Sequence, residues 1–273
     1  MDSKDAAAAG FRASDERDGV GNPCATTAAE AMAADADPSF EVATLKPSLP
    51  DGSGKYLRVA GRRYVTHNTS LADLIEVAYG MHPRQIVNAP EWVSSDRFDL
   101  VGVPDAAGEP NAAQWLLMMQ KMMADRFKLV FHHEKREISA YVLVVAKNGP
   151  KGLTKSDSNS QLPSGLEFIP GSGGLLLPAR NTAIGQFAQM MQQVVLDRPV
   201  IDKTGISGRF DFQLTFTPDE SEFNGHPPSL PPQTNSSPGL FEALQQQMGL
   251  KLTAEKMMAD VLVIDHVEKP SAN

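Results

Sequence analysis

The chain has 273 residues, of which 41% are hydrophobic and 21% are charged, so it can bury the core of one large domain or of two ordinary ones. The net charge of −8 argues against a uniformly basic surface for nucleic acid. The single cysteine, Cys24, excludes an intramolecular disulfide.

The first 38 residues are rich in Ala, Asp, Glu, Gly and Ser, and this composition predicts a disordered leader. No apolar stretch precedes Cys24, so we expect neither a signal peptide nor a lipidated cysteine. No window of the chain approaches the roughly 18 apolar residues that a membrane-spanning helix needs, and no membrane span is predicted.

The periodicity of apolar residues predicts the elements between residues 40 and 146, since alternation favours a strand and spacings of three and four favour a helix. Strands are expected at 40–45, 56–59, 63–66, 84–92 and 96–103. Helices are expected after a cap at Asn68 or Thr69, ending at Gly80, and at 112–126. Residues 127–133 and 139–146 are expected to form a hairpin around the polar turn 134–137.

The same order of elements recurs after residue 150. Strands are expected at 166–169, 175–178, 200–201, 209–216, 250–253 and 261–267. Helices are expected at 181–195 and 240–248, the second closed by Gly249. Residues 218–238 are rich in Pro, Ser and Asn and are expected to form a long loop.

Short matching segments predict a tandem duplication. Asn68-Thr69 matches Asn181-Thr182 at a shift of 113, and Arg97-Phe98-Asp99 matches Arg209-Phe210-Asp211 at a shift of 112. We therefore predict an α+β fold built from two copies of a strand–helix unit, with mainly antiparallel sheets and helices packed on one face. Unit one is placed at 39–150 and unit two at 151–273, and one strand is expected to close unit one while opening unit two.

Two motifs have both a chemical and a structural interpretation. The segment Asp202–Gly205 matches the beginning of the phosphorylated-aspartate signature of ion-pumping ATPases, but Ile206 departs from that signature. A glycine turn between two strands is the favoured interpretation. His132 and His133 are neighbours on a predicted strand and point to opposite faces, so they are not expected to share a metal. We predict no catalytic set, no metal site and no cofactor.

Four residues remain as candidates for an interaction or cleft site, namely Trp92, His132, Asp202 and Asp211. Trp92 follows Pro90-Glu91 in a loop-like setting and could anchor a partner or pack against the first helix. A cleft between the two units could also gather Asp99, Asp202, Asp211 and Glu134. A carboxylate pair there would serve as acid and base.

Seven segments within residues 38–270 carry a resemblance to a known family: Phe40–Pro47, Ala89–Trp92, Asp125–Leu129, Tyr141–Lys151, Asp197–Gly205, Gly208–Phe212 and Val261–Pro270. With these segments the chain resembles the soil-associated family of uncharacterised bacterial proteins. The resemblance implies no known activity. Members usually look exported, and similar domains look attached to sensor metallopeptidases of the beta-lactam-response type, so a periplasmic or secreted location is implied. Residues 70–92 also look like the short N-terminal interaction domain of secretins and outer-membrane receptors.

Three hypotheses follow for the function. The first is a non-enzymatic extracytoplasmic binding or protein-interaction module whose partner is an unknown envelope protein, peptide or glycan, and not nucleic acid. The second is a hydrolase of envelope or plant-derived polymers that uses a carboxylate pair in the inter-unit cleft. The third is a structural surface protein in which the repeat serves packing alone.

Overall fold

The computed structural model describes residues 30–49, 54–158, 165–232 and 236–270. The fold is α+β with mainly antiparallel sheets, as predicted. The strands are β1 Phe40–Pro47, β2 Tyr56–Ala60, β3 Arg63–Thr69, β4 Ile86–Val87, β5 Phe98–Pro104, β6 Val130–Val145, β7 Thr154–Lys155, β8 Ile169–Gly171, β9 Gly174–Thr182, β10 Val200–Asp202, β11 Phe210–Phe216 and β12 Leu250–His266. The helices are α1 Leu71–Tyr79, α2 Trp92–Ser95, α3 Ala112–Arg126, α4 Ile184–Met190 and α5 Leu240–Ala243.

Short helical turns complete these elements. π-Helical turns extend α4 over Met191–Val195 and α5 over Leu244–Met248. One-turn 3₁₀ helices lie at Pro83–Gln85 and Phe223–Gly225. The second 3₁₀ helix lies in the predicted long loop, so part of that loop is helical.

The described strands form three four-stranded sheets. The two outer sheets have the orders β1-β5-β3-β2 and β7-β11-β9-β8, and the central sheet has the order β10-β6-β12-β4. In the central sheet β6 and β12 are antiparallel along nearly their whole length, while β10 runs parallel to β6 and β4 runs parallel to β12. Strand β4 belongs to the first half of the chain and pairs with β12 of the second half. Strand β10 belongs to the second half and pairs with β6 of the first half.

The hairpin predicted for residues 127–146 is wrong, because β6 is one continuous strand. The polar segment that we interpreted as its turn lies in the middle of β6 and pairs with β12, where Glu134 faces Val261 and Glu137 faces Met258. Lys135 Nζ lies 2.7 Å from Asp260 Oδ2 on the neighbouring strand. An exposed two-stranded ribbon tolerates charges on its surface, so the charges mark exposure and not a turn. For the same reason the two predicted strands at the chain's end are one strand, β12.

The strand predicted at 84–92 is also wrong. Pro83 opens a 3₁₀ turn there, two residues form β4, and α2 begins at Trp92. The fixed φ of proline favours helical turns at their first position, which explains why the apolar residues around it do not extend into a strand.

The helix boundaries agree with the prediction at both ends of α3 and at two glycine caps, and they differ at the first residues of α1 and α4. Helix α3 spans the predicted residues, and Gly80 and Gly249 end their helices in the left-handed conformation. The cap of α1 is Ser70 and not Asn68 or Thr69, because β3 continues to Thr69 and the Ser70 side chain accepts the Asp73 N–H. Helix α4 begins at Ile184, since β9 continues to Thr182.

Part of the predicted leader is structured. Residues 1–29 lie outside the described residues, but Ala31 forms a bridge with Glu109 and Met32 is buried. The Gln114 side-chain amide of α3 donates to the Ala33 carbonyl at 2.7 Å. The structured chain therefore begins before Phe40, where we expected it to start.

Two hydrophobic cores lie towards opposite ends of the β6–β12 ribbon. Core one contains the buried faces of α1 and α3, and core two contains those of α4 and α5. Leu262 and Ile264 of β12 belong to core one, whereas Leu250 and Leu252 of the same strand belong to core two. One strand thus contributes to both cores. The division at residue 150, and the expectation that one strand closes unit one while opening unit two, stay predictions.

Both halves contain the same corner between a strand and the following helix. Asn68 and Asn181 have positive φ values of 53° and 50°, and the N–H of each donates to an aspartate, Asp99 at 2.9 Å and Asp211 at 2.8 Å. In each half the strand pairing shifts register at this corner, before Thr69 and before Thr182. The duplication itself stays a prediction, but the residues that suggested it have the same role in both halves.

Candidate functional site

Trp92 and His132 both have partners within the molecule. The Trp92 ring stacks on Phe127 of core one with centroids 6.4 Å apart, and Lys269 Nζ lies 5.8 Å from its centroid. His132 Nδ1 lies 2.9 Å from Asp265 Oδ1 across the exposed face of the β6–β12 ribbon. Trp92 is half-buried against the core, whereas the His132 side chain is 54% exposed, so His132 is the more accessible of the two.

Asp202 and Asp211 shape the backbone around them. Asp202 Oδ1 accepts the Thr204 N–H at 2.9 Å, and Gly205 follows with a φ of 67°, so the Asp202–Gly205 segment is a tight turn after β10. Asp211 accepts the Asn181 N–H, and this hydrogen bond is the main cause of the lowered pKa of its carboxyl. Their roles as interaction residues stay predictions.

The four carboxylates that we expected in one cleft lie on three different sheets. Asp99 lies on β5 and Asp211 on β11, in opposite outer sheets, while Glu134 and Asp202 lie on β6 and β10 of the central sheet. Each has a local partner: Glu134, for example, lies 2.8 Å from Arg136. Because the four carboxylates belong to three different sheets, their similar positions near turns in the sequence do not bring them into one site.

A groove between the two halves contains a different carboxylate pair. This inter-half groove has a volume of about 240 Å³ and is lined by Lys55, Tyr56, Leu57, Thr69, Asp73, Leu74, Glu76, Val77, Gln193 and Val194. Strand β2 forms one wall, α1 forms the floor, and the π-helical turn after α4 forms the other wall. The groove therefore combines elements from both halves of the chain, at a place where ligand sites commonly form.

The sequence of α1 explains which side chains face the groove. Leu71, Leu74, Ile75 and Ala78 follow helical spacing and bury one face against core one. Asp73, Glu76 and Val77 lie on the other side of the same turns and line the groove. The groove face is therefore a direct consequence of the amphipathic pattern of α1.

The π-helical turn of the second half contacts the C-terminal end of α1. Gln192 Nε2 donates to the Gly80 carbonyl at 3.0 Å, and Gln193 Nε2 donates to the Glu76 carbonyl at 3.3 Å. The first bond satisfies the carbonyl of the residue that ends α1, and the second adds to the backbone N–H groups of Gly80 and Met81 that the Glu76 carbonyl already accepts. The extra residue of a π turn widens the helix locally and is common at functional sites. It places Val194 on the rim of the groove, where its side chain is 43% exposed.

Asp73 is held in its charged form. Lys55 Nζ lies 2.7 Å from one carboxylate oxygen, and Arg97 lies 3.0 Å from the other, which also caps the N–H of Ser70. Burial alone would raise the pKa of this carboxyl, but the hydrogen bonds with Lys55 and Ser70 outweigh burial and lower it. Asp73 is therefore an anion at neutral pH.

Glu76 lies one helical turn further along and has the opposite behaviour. Its side chain is half-buried, and burial together with the nearby charge of Asp73 raises the pKa of Glu76 to about 8. None of the described residues donates a hydrogen bond to its carboxyl group. The groove thus holds one ionised and one mainly protonated carboxyl on the same helix face, and such pairs mark acid–base or ligand-binding sites.

The rim of the groove is apolar and exposed. Tyr56 and Leu57 of β2 are 45% and 39% exposed and line the groove together with Val194 of the second half. Val59, further along β2, is 46% exposed. The Tyr56 ring stacks on His67 with centroids 5.3 Å apart, which holds it against the sheet. Clustered exposed apolar side chains beside polar groups are typical of interaction surfaces.

This site was not predicted from the sequence, since neither Asp73 nor Glu76 is among the candidate residues. The signal that could have found the pair is its spacing, since residues three apart on a helix are neighbours on one face. The contribution of Val194 and Gln193 had no signal, because it depends on how the second half packs.

The described residues show neither a cluster of metal ligands nor a membrane-spanning helix. Across the described ranges, no group of three or more His, Cys, Asp or Glu side chains is placed so that it could hold a metal ion. Among the helices of those ranges, none is both long enough and apolar enough to cross a membrane.

Comparison with known proteins identifies the family and no activity. No curated protein matches the chain, and no solved structure does. A family model described as "Protein of unknown function (DUF3738)" matches residues 72–267, which is well over half of the chain and includes both halves. The soil association and the link to sensor metallopeptidases stay predictions. The chain belongs to this family of proteins of unknown function.

Proposed function

We propose that this protein is a non-enzymatic binding or protein-interaction module that works outside the cytoplasm, and that the inter-half groove is its binding surface. The partner is an envelope protein, peptide or glycan. The observation that carries the proposal is the exposed apolar rim of Tyr56, Leu57 and Val194 around the carboxyl pair Asp73 and Glu76. The extracytoplasmic location follows from the family resemblance alone.

The chemistry of the groove favours binding. Asp73 is already paired with Lys55 and Arg97. These ion pairs stabilise the wall of the groove and occupy the carboxylate that a reaction would need. The apolar rim would gain free energy when a partner covers it, at roughly 25 cal/mol for each Å² of apolar surface removed from water. A groove of this kind supplies affinity from its rim and orientation from its polar floor.

We also propose that the two halves are diverged copies of one unit, at 39–150 and 151–273, of which the first carries the acidic groove. Support comes from the shared corner at Asn68 and Asn181 and from the equal strand orders of the outer sheets. At the shift of 113, Asp73 and Glu76 correspond to Gln186 and Gln189, which are neutral. Divergence between the copies thus falls on the groove residues.

Site-specific photo-crosslinking tests the binding surface. A benzophenone amino acid in place of Val194 or Leu57 should crosslink partners from envelope extract, because both side chains are on the rim. The same probe at Val130, which is 54% exposed on the central ribbon, serves as the matched control. Equal crosslinking at all three positions, or none at the rim, would contradict the proposal.

One observation favours a second candidate, a hydrolase of envelope or plant-derived polymers. Asp73 and Glu76 line the inter-half groove together, and in such an enzyme the neutral Glu76 would serve as acid and the ionised Asp73 as base or nucleophile. Release of reducing ends from peptidoglycan or plant polysaccharide by the wild type, and its loss in Glu76→Gln, would establish this activity. Absence of turnover in the wild type would leave the binding module.

A further inference from the structure

Strand β2 is the edge of an outer sheet. It pairs with β3 on one side, and within the described ranges no strand pairs with its other side. All five of its residues are exposed. An unpaired edge presents backbone N–H and C=O groups that can hydrogen-bond to another strand, and natural sheets usually protect such an edge with charge or a short strand. The β2 edge carries one charge, Arg58, which lies over the Tyr56 ring on one face of the strand, while the other face presents the apolar Leu57 and Val59.

The core-facing side of β2 is incompletely covered. Leu57 pairs with Thr66 and Val59 pairs with Tyr64, so each shares a sheet face with a buried partner. Thr66 and Tyr64 are 1% and 2% exposed, whereas Leu57 and Val59 are 39% and 46% exposed. One more strand beside β2 would cover the two exposed side chains and continue the hydrophobic layer.

The corresponding edge of the other outer sheet is built differently. Strand β8 has three residues, Ile169–Gly171, and its centre is Pro170. Proline donates no backbone hydrogen bond and protects a sheet edge against pairing. Of these two edge strands, β2 is therefore the one that is suited to pairing with an additional strand.

The charge of the groove selects among possible strands. Asp73 is satisfied by Lys55 and Arg97, whereas the carboxyl of Glu76 has no hydrogen-bond donor among the described residues and faces the groove beside β2. A lysine or arginine side chain would supply that donor and form a charge-assisted hydrogen bond. The net charge of −8 adds a long-range attraction for a basic segment.

We propose that the inter-half groove binds an extended, basic polypeptide segment that pairs with β2 as an additional strand, covers Leu57 and reaches Glu76 with a lysine or arginine. This inference rests on the proposed function and names its ligand class. Strand addition supplies affinity through main-chain hydrogen bonds, and side-chain pockets supply specificity.

A synthetic peptide tests the inference directly. The probe is fluorescein-labelled Ser-Val-Thr-Val-Lys-Val-Thr-Val-Ser, titrated with the full chain and followed by fluorescence anisotropy. We expect saturable binding that weakens roughly tenfold when the lysine is replaced by glutamate, and by as much when alternate backbone nitrogens are methylated. Amide hydrogen exchange should slow at residues of β2 in the complex.

Paired protein variants locate the site. Leu57→Lys puts a charge on the β2 edge and should weaken binding roughly tenfold. Ile169→Lys changes an exposed residue of the β8 edge in the same way and should leave binding unchanged. Glu76→Gln should reduce the preference for the lysine peptide over the glutamate peptide. Val59→Lys replaces Leu57→Lys if circular dichroism shows that the latter variant does not fold.

Three outcomes overturn the inference. They are no binding of the probe, equal binding of the lysine, glutamate and N-methylated peptides, and equal losses in Leu57→Lys and Ile169→Lys. Any of these together with rim-specific crosslinking at Val194 refutes strand addition and leaves the proposed function intact. Absence of crosslinking at the rim refutes both.

Discussion

The two halves of the molecule share their corners and strand order but differ in what lies beside the corner. In the first half, a five-residue edge strand and the helix α1 border the acidic groove. In the second half, the corresponding edge strand has three residues, and α4 carries Gln186 and Gln189 where α1 carries Asp73 and Glu76. The shared features maintain the fold, and the unshared ones supply the candidate site.

The halves also depend on each other. Core one is completed by Leu262 and Ile264, which come from the second half of the chain, and the wall of the groove is completed by Val194. A site on the first half therefore requires the second half, even though only the first carries the acidic residues. The family model likewise spans both halves of the chain.

The strongest prediction separates the two cores along a single strand. Leu262 and Leu252 lie ten residues apart on β12 and are 0% and 6% exposed in core one and core two. Replacing either by alanine should lower the free energy of unfolding by about 2–5 kcal/mol, because each leaves a cavity. Chemical denaturation measures the loss.

Hydrogen exchange shows where each loss falls. Leu262→Ala should accelerate exchange in α1 and α3, and Leu252→Ala should accelerate it in α4 and α5, since these helices pack on the respective cores. If both variants loosen the same half, the two-core description fails. Unchanged circular dichroism in water would confirm that both variants are folded.

The second prediction removes the shared corner in each half. Asp99→Ala leaves the Asn68 N–H without its acceptor and also removes contacts at 2.6 Å to Ser48 Oγ and 2.9 Å to His67 Nδ1. We expect a loss of about 1–3 kcal/mol in unfolding free energy. Asp211→Ala should have the same sign and a smaller effect, because the ion pair that Asp211 also makes, with the largely exposed Arg180, is long at 3.7 Å.

A matched control keeps the acceptor oxygen. Asp99→Asn and Asp211→Asn retain an oxygen that can accept the asparagine N–H, so each should be less destabilising than its alanine counterpart. Equal effects of Asn and Ala would mean that charge, and not the backbone hydrogen bond, stabilises the corner.

These corners also show how far the sequence could predict the fold. The Asn-Thr and Arg-Phe-Asp matches predict that the two halves contain similar corners. Each corner has the same hydrogen bond from the asparagine N–H to the aspartate carboxylate. The length of β6 was unpredictable from residues 130–145 alone, because the charges of 134–137 are tolerated only through pairing with β12. Long-range pairing is the information that a single sequence does not show.

The candidate site follows the same rule. The amphipathic pattern of α1 predicts that Asp73 and Glu76 avoid the core, and this part was accessible from the sequence. That the pair faces a groove depends on the packing of the π-helical turn after α4, a feature with no pattern in the sequence. The candidates Trp92, His132, Asp202 and Asp211 were predicted from motifs and turn positions. Neither feature indicates which side chains line the same cavity.

The third prediction concerns the acid that only the first half carries. The folded pKa of Glu76, about 8, lies above its ordinary value of 4.5, so between these pH values the folded state binds more protons than the unfolded state. The free energy of unfolding should therefore fall as pH rises through this window. Glu76→Gln cannot ionise and should be more stable than the wild type by about 1–2 kcal/mol at pH 9, with a smaller difference at pH 5.

Urea denaturation between pH 5 and 9 provides the measurement. Glu167→Gln alters an exposed carboxyl of the second half and should leave the difference from the wild type independent of pH. If the free energy of unfolding of Glu76→Gln equals that of the wild type at every pH, burial in the groove does not raise the pKa of Glu76. The acidic groove would then differ from its neutral counterpart only in composition.

The smallest prediction exchanges the helix caps of the two halves. Ser70 caps α1 through its hydroxyl, whereas Ala183, at the corresponding position before α4, has no side chain that can accept the Gln186 N–H. Ser70→Ala should lower the free energy of unfolding by about 1 kcal/mol, and Ala183→Ser should raise it by about 0.5 kcal/mol, since the new hydroxyl can accept that N–H. The wild type already has the other half of this capping arrangement, because the Gln186 side chain accepts the Ala183 N–H at 3.2 Å. Urea midpoints of the two variants and of the double variant measure both effects, which should add because the caps belong to different helices. A loss of stability in Ala183→Ser would mean that the two corners, although alike in their Asn and Asp residues, hold the first turn of their helices differently.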